Sequence, residues 1–441
     1  MSWIDWSVLI ATLLLIVGYG SWKTRKNKNL EGFLKGNNSE NWMTIGLSIM
    51  ATQASAITFL STPGQAYESG MGFIQFYFGL PLAMILISIF FLPIYYRLKV
   101  YTAYQYLEQR FDGRVRSFTA FLFLVSRGLA AGITIYAPAI ILSTLLDWNL
   151  QLTCLIIGIL VIVYTVSGGS RAVSLSHIWP LGVVMGGMFF AFYYVIQSFP
   201  SDVGFSEGID IAGKLGKMEI INLEVDPTNR YTLFSGLIGG LFLFLSYFGT
   251  DQSQVPRYLG GQTLKASRLG LMFNGLFKIP MQFFILLVGV MVFVFYQFNP
   301  APLNFIDAST EKVLTSEYAQ QYQNLQQKQN KLFDEKKAIS IQLSKHDDDK
   351  FRPDLFVLDS VEKTHRLESK YLIKRAIDTA YANKYDKLNS QLLALENNRN
   401  SEAYKAKKQE LNTWYKESAK DTQTNDRDYM FITFILKYLP K

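Results

Sequence analysis

A chain of 441 residues has room for two or three soluble domains, but 49% apolar, 15% aromatic and only 18% charged residues is too apolar a composition for them. The charge is also uneven: residues 306–428 hold 22 Lys/Arg and 21 Asp/Glu, leaving 35 charged residues for the other 318 positions. A single cysteine, Cys154, and three scattered histidines exclude an internal disulfide and a Cys- or His-based metal cluster, so the chain reads as a membrane protein with one polar block.

Spanning helices are predicted wherever about 20 mostly apolar residues run together, because roughly 30 Å of hydrocarbon needs that many at 1.5 Å each. Eight such windows occur, at 4–22, 42–62, 71–96, 117–146, 150–167, 178–198, 231–250 and 269–298. The first is a retained helix rather than a cleaved signal, since Asp5 precedes it and the basic cluster Lys23, Arg25, Lys26 and Lys28 follows it. That cluster puts the N-terminus outside by the positive-inside rule. Arg97, Lys99, Arg110, Arg114, Arg116, Arg171, Arg257, Lys265 and Arg268 then fall in inner loops by alternation. The same alternation puts 199–230 and the block 299–428 on the outer face. Most of the net charge of +8 sits in those short inner loops, so it calls for no nucleic acid.

The second window spends membrane length on Thr44, Ser48, Thr52, Gln53, Ser55, Thr58, Ser61 and Thr62, then meets Pro63-Gly64 and a turn over Gln65–Gly70. Hydroxyls at this density either glue helices together or line a wet site beside an interrupted helix whose freed carbonyls bind a cation, and both readings stand. Arg127 falls near the middle of the fourth window, where an unpaired guanidinium costs on the order of 3 kcal/mol. It binds a carboxylate, gates, or pairs structurally. Lys278, beside Ile279-Pro280 in the eighth window, poses the same choice, and Asp251 is a helix cap or a coupling-ion ligand. No nucleotide-binding loop, hydrolase elbow or zinc helix accompanies these residues, which leaves gradient-driven transport, a channel or a sensor and no enzyme or organic cofactor. The polar block carries Tyr318, Leu325, Leu332 and Ile339 at sevenfold spacing and a second helical stretch over 361–418, beyond a turn at 346–353. It is predicted to be a helical hairpin, with a solvated linker as the plain alternative.

Several stretches together resemble the sodium:solute symporter family: Asn29-Leu30-Glu31-Gly32-Phe33-Leu34-Lys35-Gly36, Ala51-Thr52-Gln53-Ala54-Ser55-Ala56-Ile57-Thr58-Phe59 with Pro63-Gly64 and Tyr67, Glu108-Gln109-Arg110-Phe111, Tyr136-Ala137-Pro138-Ala139, Tyr164-Thr165-Val166-Ser167-Gly168-Gly169 with Ala172-Val173, and Asp251-Gln252 through Arg257-Tyr258-Leu259. The resemblance implies an all-α integral membrane fold, the leucine-transporter type of inverted-repeat core, importing a small solute with sodium by alternating access. In that picture 1–298 is the core, 299–428 an outer helical insertion that lids the entrance or docks a partner, and 429–441 the start of a further helix.

Family sodium sites take backbone carbonyls matched by Ala51 and Ala54, with Gln53 and Ser55 in the neighbourhood of the ion and substrate. Two hydroxyls come from a later helix that begins where this chain stops, so the chain is expected to be a fragment. Substrate positions map to Thr58, Tyr77, Tyr247 and Lys278. Arg127 shares a helix with the carboxylate-binding arginine of sialic acid-type members. Sugar-type members carry Gln, Glu, Ser and Asn where this chain has Thr58, Tyr77, Leu80 and Phe244. Those changes, with Lys278 and Arg127, favour a small organic anion such as a monocarboxylate, sialic acid or vitamin acid over a sugar or other neutral solute. A transporter-like sensor is the rival from another class. Ser176-His177 stands where the family commonly has Thr-Asp, which makes His177 a protonatable substitute or a plain interfacial histidine. The expected location is the plasma membrane, inner in a bacterium.

Overall fold

The computed structural model describes residues 3, 6–7, 10–12, 40–55, 57–98, 100, 102–146, 148–226, 229–345, 351–395, 401–418 and 424–440; within its helices the side chains of 137, 141, 144–146, 164–177 and 415–418 are outside the description. In chain order the helices are α1 (Trp42–Gln53), α2 (Ile57–Leu98), α3 (Ala103–Arg110), α4 (Gly113–Leu146), α5 (Leu150–Gln197), α6 (Phe205–Lys214), α7 (Ser235–Gly249), α8 (Val255–Leu259) and α9 (Leu264–Phe298). The charged block follows as α10 (Asp307–Leu314), α11 (Ala319–Lys345), α12 (Arg352–Ile377), α13 (Thr379–Ala394) and α14 (Glu402–Ser418), and α15 (Met430–Tyr438) closes the order. Among the described residues four stretches are long and apolar enough to cross a bilayer: Ile57–Leu98, Gly113–Ile140, Ile178–Gln197 and Leu264–Phe298. Leu150–Val163 and Ser235–Gly249 are apolar but shorter. The expected first helix, 4–22, is described only at 6–7 and 10–12, and the loop expected around Arg171 and His177 is replaced by the continuous helix α5, in which those two side chains are outside the description.

The chain divides into two compact units. The first comprises Met1–Thr62, Gly70–Phe190 and Glu219–Leu287. Its core gathers Ile45 and Ile49 of α1, Leu80, Met84 and Ile87 of α2, Phe248 of α7, Tyr258 of α8 and Leu271 of α9. α1 starts because Asn41 Oδ1 accepts the Thr44 N–H at 2.8 Å, satisfying one of the orphan donors of a first turn. It meets α9 closely: a methyl at Gly46 would lie 2.5 Å from Phe273, and one at Gly270 would lie 2.5 Å from Ile45. Small residues let two membrane helices approach to this distance. The outer faces stay apolar, as at Phe118, Leu129 and Ile133 of α4, which suits lipid.

The window predicted as one helix over 42–62 is broken in the middle. α1 stops at Gln53, Ala54 takes φ −87° and ψ 75°, and helical geometry resumes at Ile57 as one π turn. The turn expected over Gln65–Gly70 is helical instead, from Thr62 to Ser69, with Pro63 in its first turn, where a helix tolerates proline. Gly70, at φ 76°, a backbone setting glycine adopts without Cβ strain, opens a 3-10 stretch that runs to Phe78.

The second unit comprises Pro63–Ser69, Ala191–Met218 and Val288–Lys441. The compact division therefore does not follow the expected boundary at 298/299: the end of α9 and a short piece of α2 belong with the charged block. The predicted long hairpin exists as α11 and α12, joined through Lys336, Asp359 and Glu362. The second stretch is not one helix over 361–418, since Asp378 leaves helical geometry and caps α13 by accepting the Tyr381 N–H at 3.0 Å. Leu303, Val313, Tyr318, Tyr322, Leu325, Tyr371, Leu372 and Ile373 form this unit's core. The two ends of the block meet there: the Phe305 N–H donates to Asp426 at 3.0 Å and the Thr433 hydroxyl to the Phe305 carbonyl at 3.1 Å.

Candidate functional site

The break in the first unit organises the site. At Ala54 the helical ladder lapses, and the chain repairs only part of it. The Ala54 N–H donates to the Ala51 carbonyl at 3.1 Å, and the Thr58 hydroxyl donates to the Gln53 carbonyl at 3.0 Å. The Ser55 carbonyl accepts from the Thr58 N–H at 2.9 Å. Among the described residues none donates to the Ala54 carbonyl, so Ala54, and in part Ala51, presents backbone oxygen at a point inside the apolar span. That is the arrangement by which an interrupted membrane helix holds a cation. Thr58, expected at the substrate, instead spends its hydroxyl on the hinge. Ser48 is likewise engaged, accepting from Arg257 at 2.9 Å.

Gln53 connects the hinge to α9: its amide donates to Asn274 Oδ1 at 3.4 Å. On α9, Asn274, Lys278 and Gln282 follow at intervals of four, so they share one face. They are 0%, 1% and 0% exposed. Among the described residues the Lys278 ammonium and both amide atoms of Gln282 have no hydrogen-bond partner. The same helix turns a different, apolar face, with Phe277, Met281 and Phe284, to a cavity of about 480 Å³. Lys278 stands out in the sequence as a charge in an apolar span, whereas Asn274 and Gln282 do not, although a fourfold polar spacing inside that span was there to be read.

A second cluster collects three other predicted residues. Arg127 of α4 pairs with Asp251, and its guanidinium stands 5.5 Å from the Tyr247 ring centre. The Tyr247 hydroxyl accepts from Gln254 at 2.8 Å. Asp251 also accepts the Ser253 N–H at 2.8 Å, in the turn that leads into α8. A solute carboxylate at Arg127 would therefore have to compete with Asp251 in place. Asp251 borders a cavity of about 650 Å³ with Tyr95, Tyr104, Phe123, Ser126 and Thr250. Tyr77 packs edge-on to Phe73 and tilted against Phe244, an aromatic cluster in place of a polar sugar site. The His177 side chain lies outside the described residues. Among the described residues no group of three or more His, Cys, Asp or Glu could hold a metal ion.

In the second unit, Lys217 donates to the Tyr67 and Glu68 carbonyls at 3.0 and 2.6 Å, and Arg427 donates to Gln65 at 2.7 Å. Arg366 lies 5.5 Å from the Tyr67 ring centre and 2.9 Å from Asp426, whose other oxygen meets Lys370 at 2.7 Å. Burial would raise the Asp426 carboxyl, but the charges of Arg366 and Lys370 prevail and hold it at about 2. Burial lowers Lys217 to about 8, against the opposing pull of Asp359. Pro63–Ser69, the continuation of the broken helix, is thus gripped by charged residues of the second unit.

Comparison with known proteins places this architecture. The sodium:solute symporter family model matches residues 33–325. The human sodium/iodide cotransporter is 32% identical over 298 residues, 66% of this chain and 45% of the relative. Sodium-coupled monocarboxylate transporter 2 of Mus musculus is 31% identical over 61% of this chain and 44% of its own. The sodium-dependent multivitamin transporter of Oryctolagus cuniculus is 30% identical over 61% and 42%. The chain thus spans less than half the length of these relatives. A solved Na+-coupled sialic acid symporter, in a substrate-bound outward-open state, shares the fold at a TM-score of 0.62 and 20% identity, covering 99% of this chain and 81% of that one. On the extent of the family match and the agreement of fold, the chain belongs to the sodium:solute symporter family, a family of membrane transporters and not of enzymes.

Proposed function

We propose that this protein is a sodium-coupled secondary symporter that imports a small organic anion across the plasma membrane by alternating access, with its N-terminus and the block 299–428 outside. The observation that carries the anion is Lys278: a buried ammonium in the membrane part of α9 with no partner among the described residues. An ionised group left that way is expensive, and a carboxylate arriving with the solute would offset the cost. Sodium would lie at the Ala51 and Ala54 carbonyls beside Gln53 and Ser55, where the break in α1 frees backbone oxygen. The relatives named for monocarboxylates, iodide and vitamins fit an anionic or acid-bearing solute. The aromatic setting of Tyr77 and Phe244 speaks against a sugar.

The outer block acts in this reading on the broken helix. Lys217, Arg366 and Arg427 hold Pro63–Ser69, so opening the outer path would move that segment against the block. Reconstitution into liposomes tests the assignment: uptake of radiolabelled short-chain carboxylates should rise when an inward sodium gradient is imposed, and Lys278→Met should abolish uptake of acids. Uptake of every acid tested that ignores sodium would remove the coupling assignment.

A further inference from the structure

The buried polar face of α9 carries more information than one lysine. Leu271 and Ile285, both fully buried, bound it at either end. Between them an apolar membrane helix places Asn274, Lys278 and Gln282 in one line. Gln75, 1% exposed, is a buried glutamine engaged at both ends of its amide. Its amide nitrogen donates to the Gly72 and Tyr231 carbonyls at 3.2 and 3.0 Å, and its oxygen accepts the Asn222 N–H at 2.8 Å. Gln282 is as deeply buried and satisfies neither end. A donor and an acceptor left idle in an apolar span lose the full desolvation cost of both groups. Pro280, between Lys278 and Gln282, also removes a ladder bond from the helix at this level.

We propose that Lys278 and Gln282 form a two-point site for an organic acid carrying, some distance from its carboxylate, a neutral group that both donates and accepts, such as an amide or a hydroxyl. This rests on the symporter reading and narrows its substrate class. One helical turn sets the spacing at about 6 Å. The ammonium donates to the carboxylate, the Gln282 nitrogen to the ligand's acceptor, and the Gln282 oxygen accepts from the ligand's donor. Asn274 is the positioning residue: its oxygen is held by Gln53, so the row is tied to the helix break where sodium would sit. A bare halide or a plain fatty acid would leave Gln282 unsatisfied.

Uptake in liposomes under a sodium gradient, with labelled hexanoate competed by adipamate, 6-hydroxyhexanoate, unlabelled hexanoate or iodide, reads this directly. The amide and hydroxyl acids should outcompete hexanoate and iodide by about tenfold or more, since a site built for a hydrogen-bonding group discriminates strongly against analogues lacking it. Gln282→Leu should erase that preference. The same variant should show an unchanged or higher melting temperature without ligand, whereas a structural glutamine would lower it. Equal competition by all four compounds, a preference surviving in Gln282→Leu, or a lowered melting temperature each overturns the two-point site and leaves the symporter reading standing. If no acid shows sodium-dependent uptake, thermal stabilisation by adipamate that is lost in Gln282→Leu would keep the site and sink the symporter reading; no such stabilisation would sink both.

Discussion

Arg127 and Asp251 lie 124 residues apart in sequence and meet as an ion pair, with the Arg127 side chain 35% exposed and that of Asp251 10%. Each was legible alone as a charge in or at the edge of an apolar span, but nothing local to either announces the other, so the roles of substrate cation and helix cap stayed open. The pairing makes a specific prediction. Arg127→Ala leaves a nearly buried carboxylate without its cation and should cost roughly 1–3 kcal/mol, discounted for the exposure of the arginine. The double variant Arg127→Ala/Asp251→Ala should recover part of that loss. Thermal melts of the four members of the cycle in detergent measure it, and strictly additive losses would deny the pair any coupling. Lys278 was legible for the same reason as Arg127. Gln282 escaped because a neutral amide draws notice only when its neighbours are known to leave it unpaired.

At the scale of elements, close helix contacts decide which glycines matter. A methyl at Gly289 of α9 would run into the Pro63 backbone, while one at Gly186 of α5 meets nothing within 4 Å. Gly289→Ala should therefore destabilise by about 1–3 kcal/mol, because backbone cannot step aside as a side chain can. Gly186→Ala should be neutral or gain up to about 1 kcal/mol from helix propensity. Melting temperatures for the two variants separate the cases, and equal behaviour would contradict the contact. The break in α1 was legible from its hydroxyls and the proline-glycine step, although its position moved from the end of the window to Ala54. The hairpin seam was legible only in part. Tyr318, Leu325 and Leu332 are buried as the sevenfold spacing predicts, yet the buried line of α11 also runs through Gln329, Lys336 and Ser340. Lys336 can lie there because Asp359 and Glu362 meet it at 3.4 and 2.5 Å, a tertiary pairing that counting apolar residues along α11 cannot reveal. The expected seam residue Ile339 is only half-buried as a result.

At the scale of the molecule, the charged block first read as an insertion falls in one compact unit with Pro63–Ser69, Ala191–Met218 and the end of α9. Asp426 ties that unit together, fully buried between Arg366 and Lys370. Its carboxyl is depressed to about 2 from an ordinary value near 3.8, so its contribution is complete above the ordinary value and is lost as pH falls through about 2. Asp426→Asn should cost about 3 kcal/mol at neutral pH by leaving two buried cations unpaired, and should flatten the acid limb of stability near pH 2–4. Fluorescence of Trp414, stacked on Tyr381 in the block, follows the transition, and an unchanged acid limb would exclude Asp426 as its source. The central claim is that an anion-accepting site on α9 is coupled to sodium at the break in α1. Uptake of a labelled carboxylate into liposomes, measured with and without an inward sodium gradient for the native chain and for Lys278→Met, tests it most directly. Uptake should depend on sodium in the native chain and be lost in the variant; carboxylate uptake indifferent to sodium, or undiminished in Lys278→Met, would exclude the coupled site.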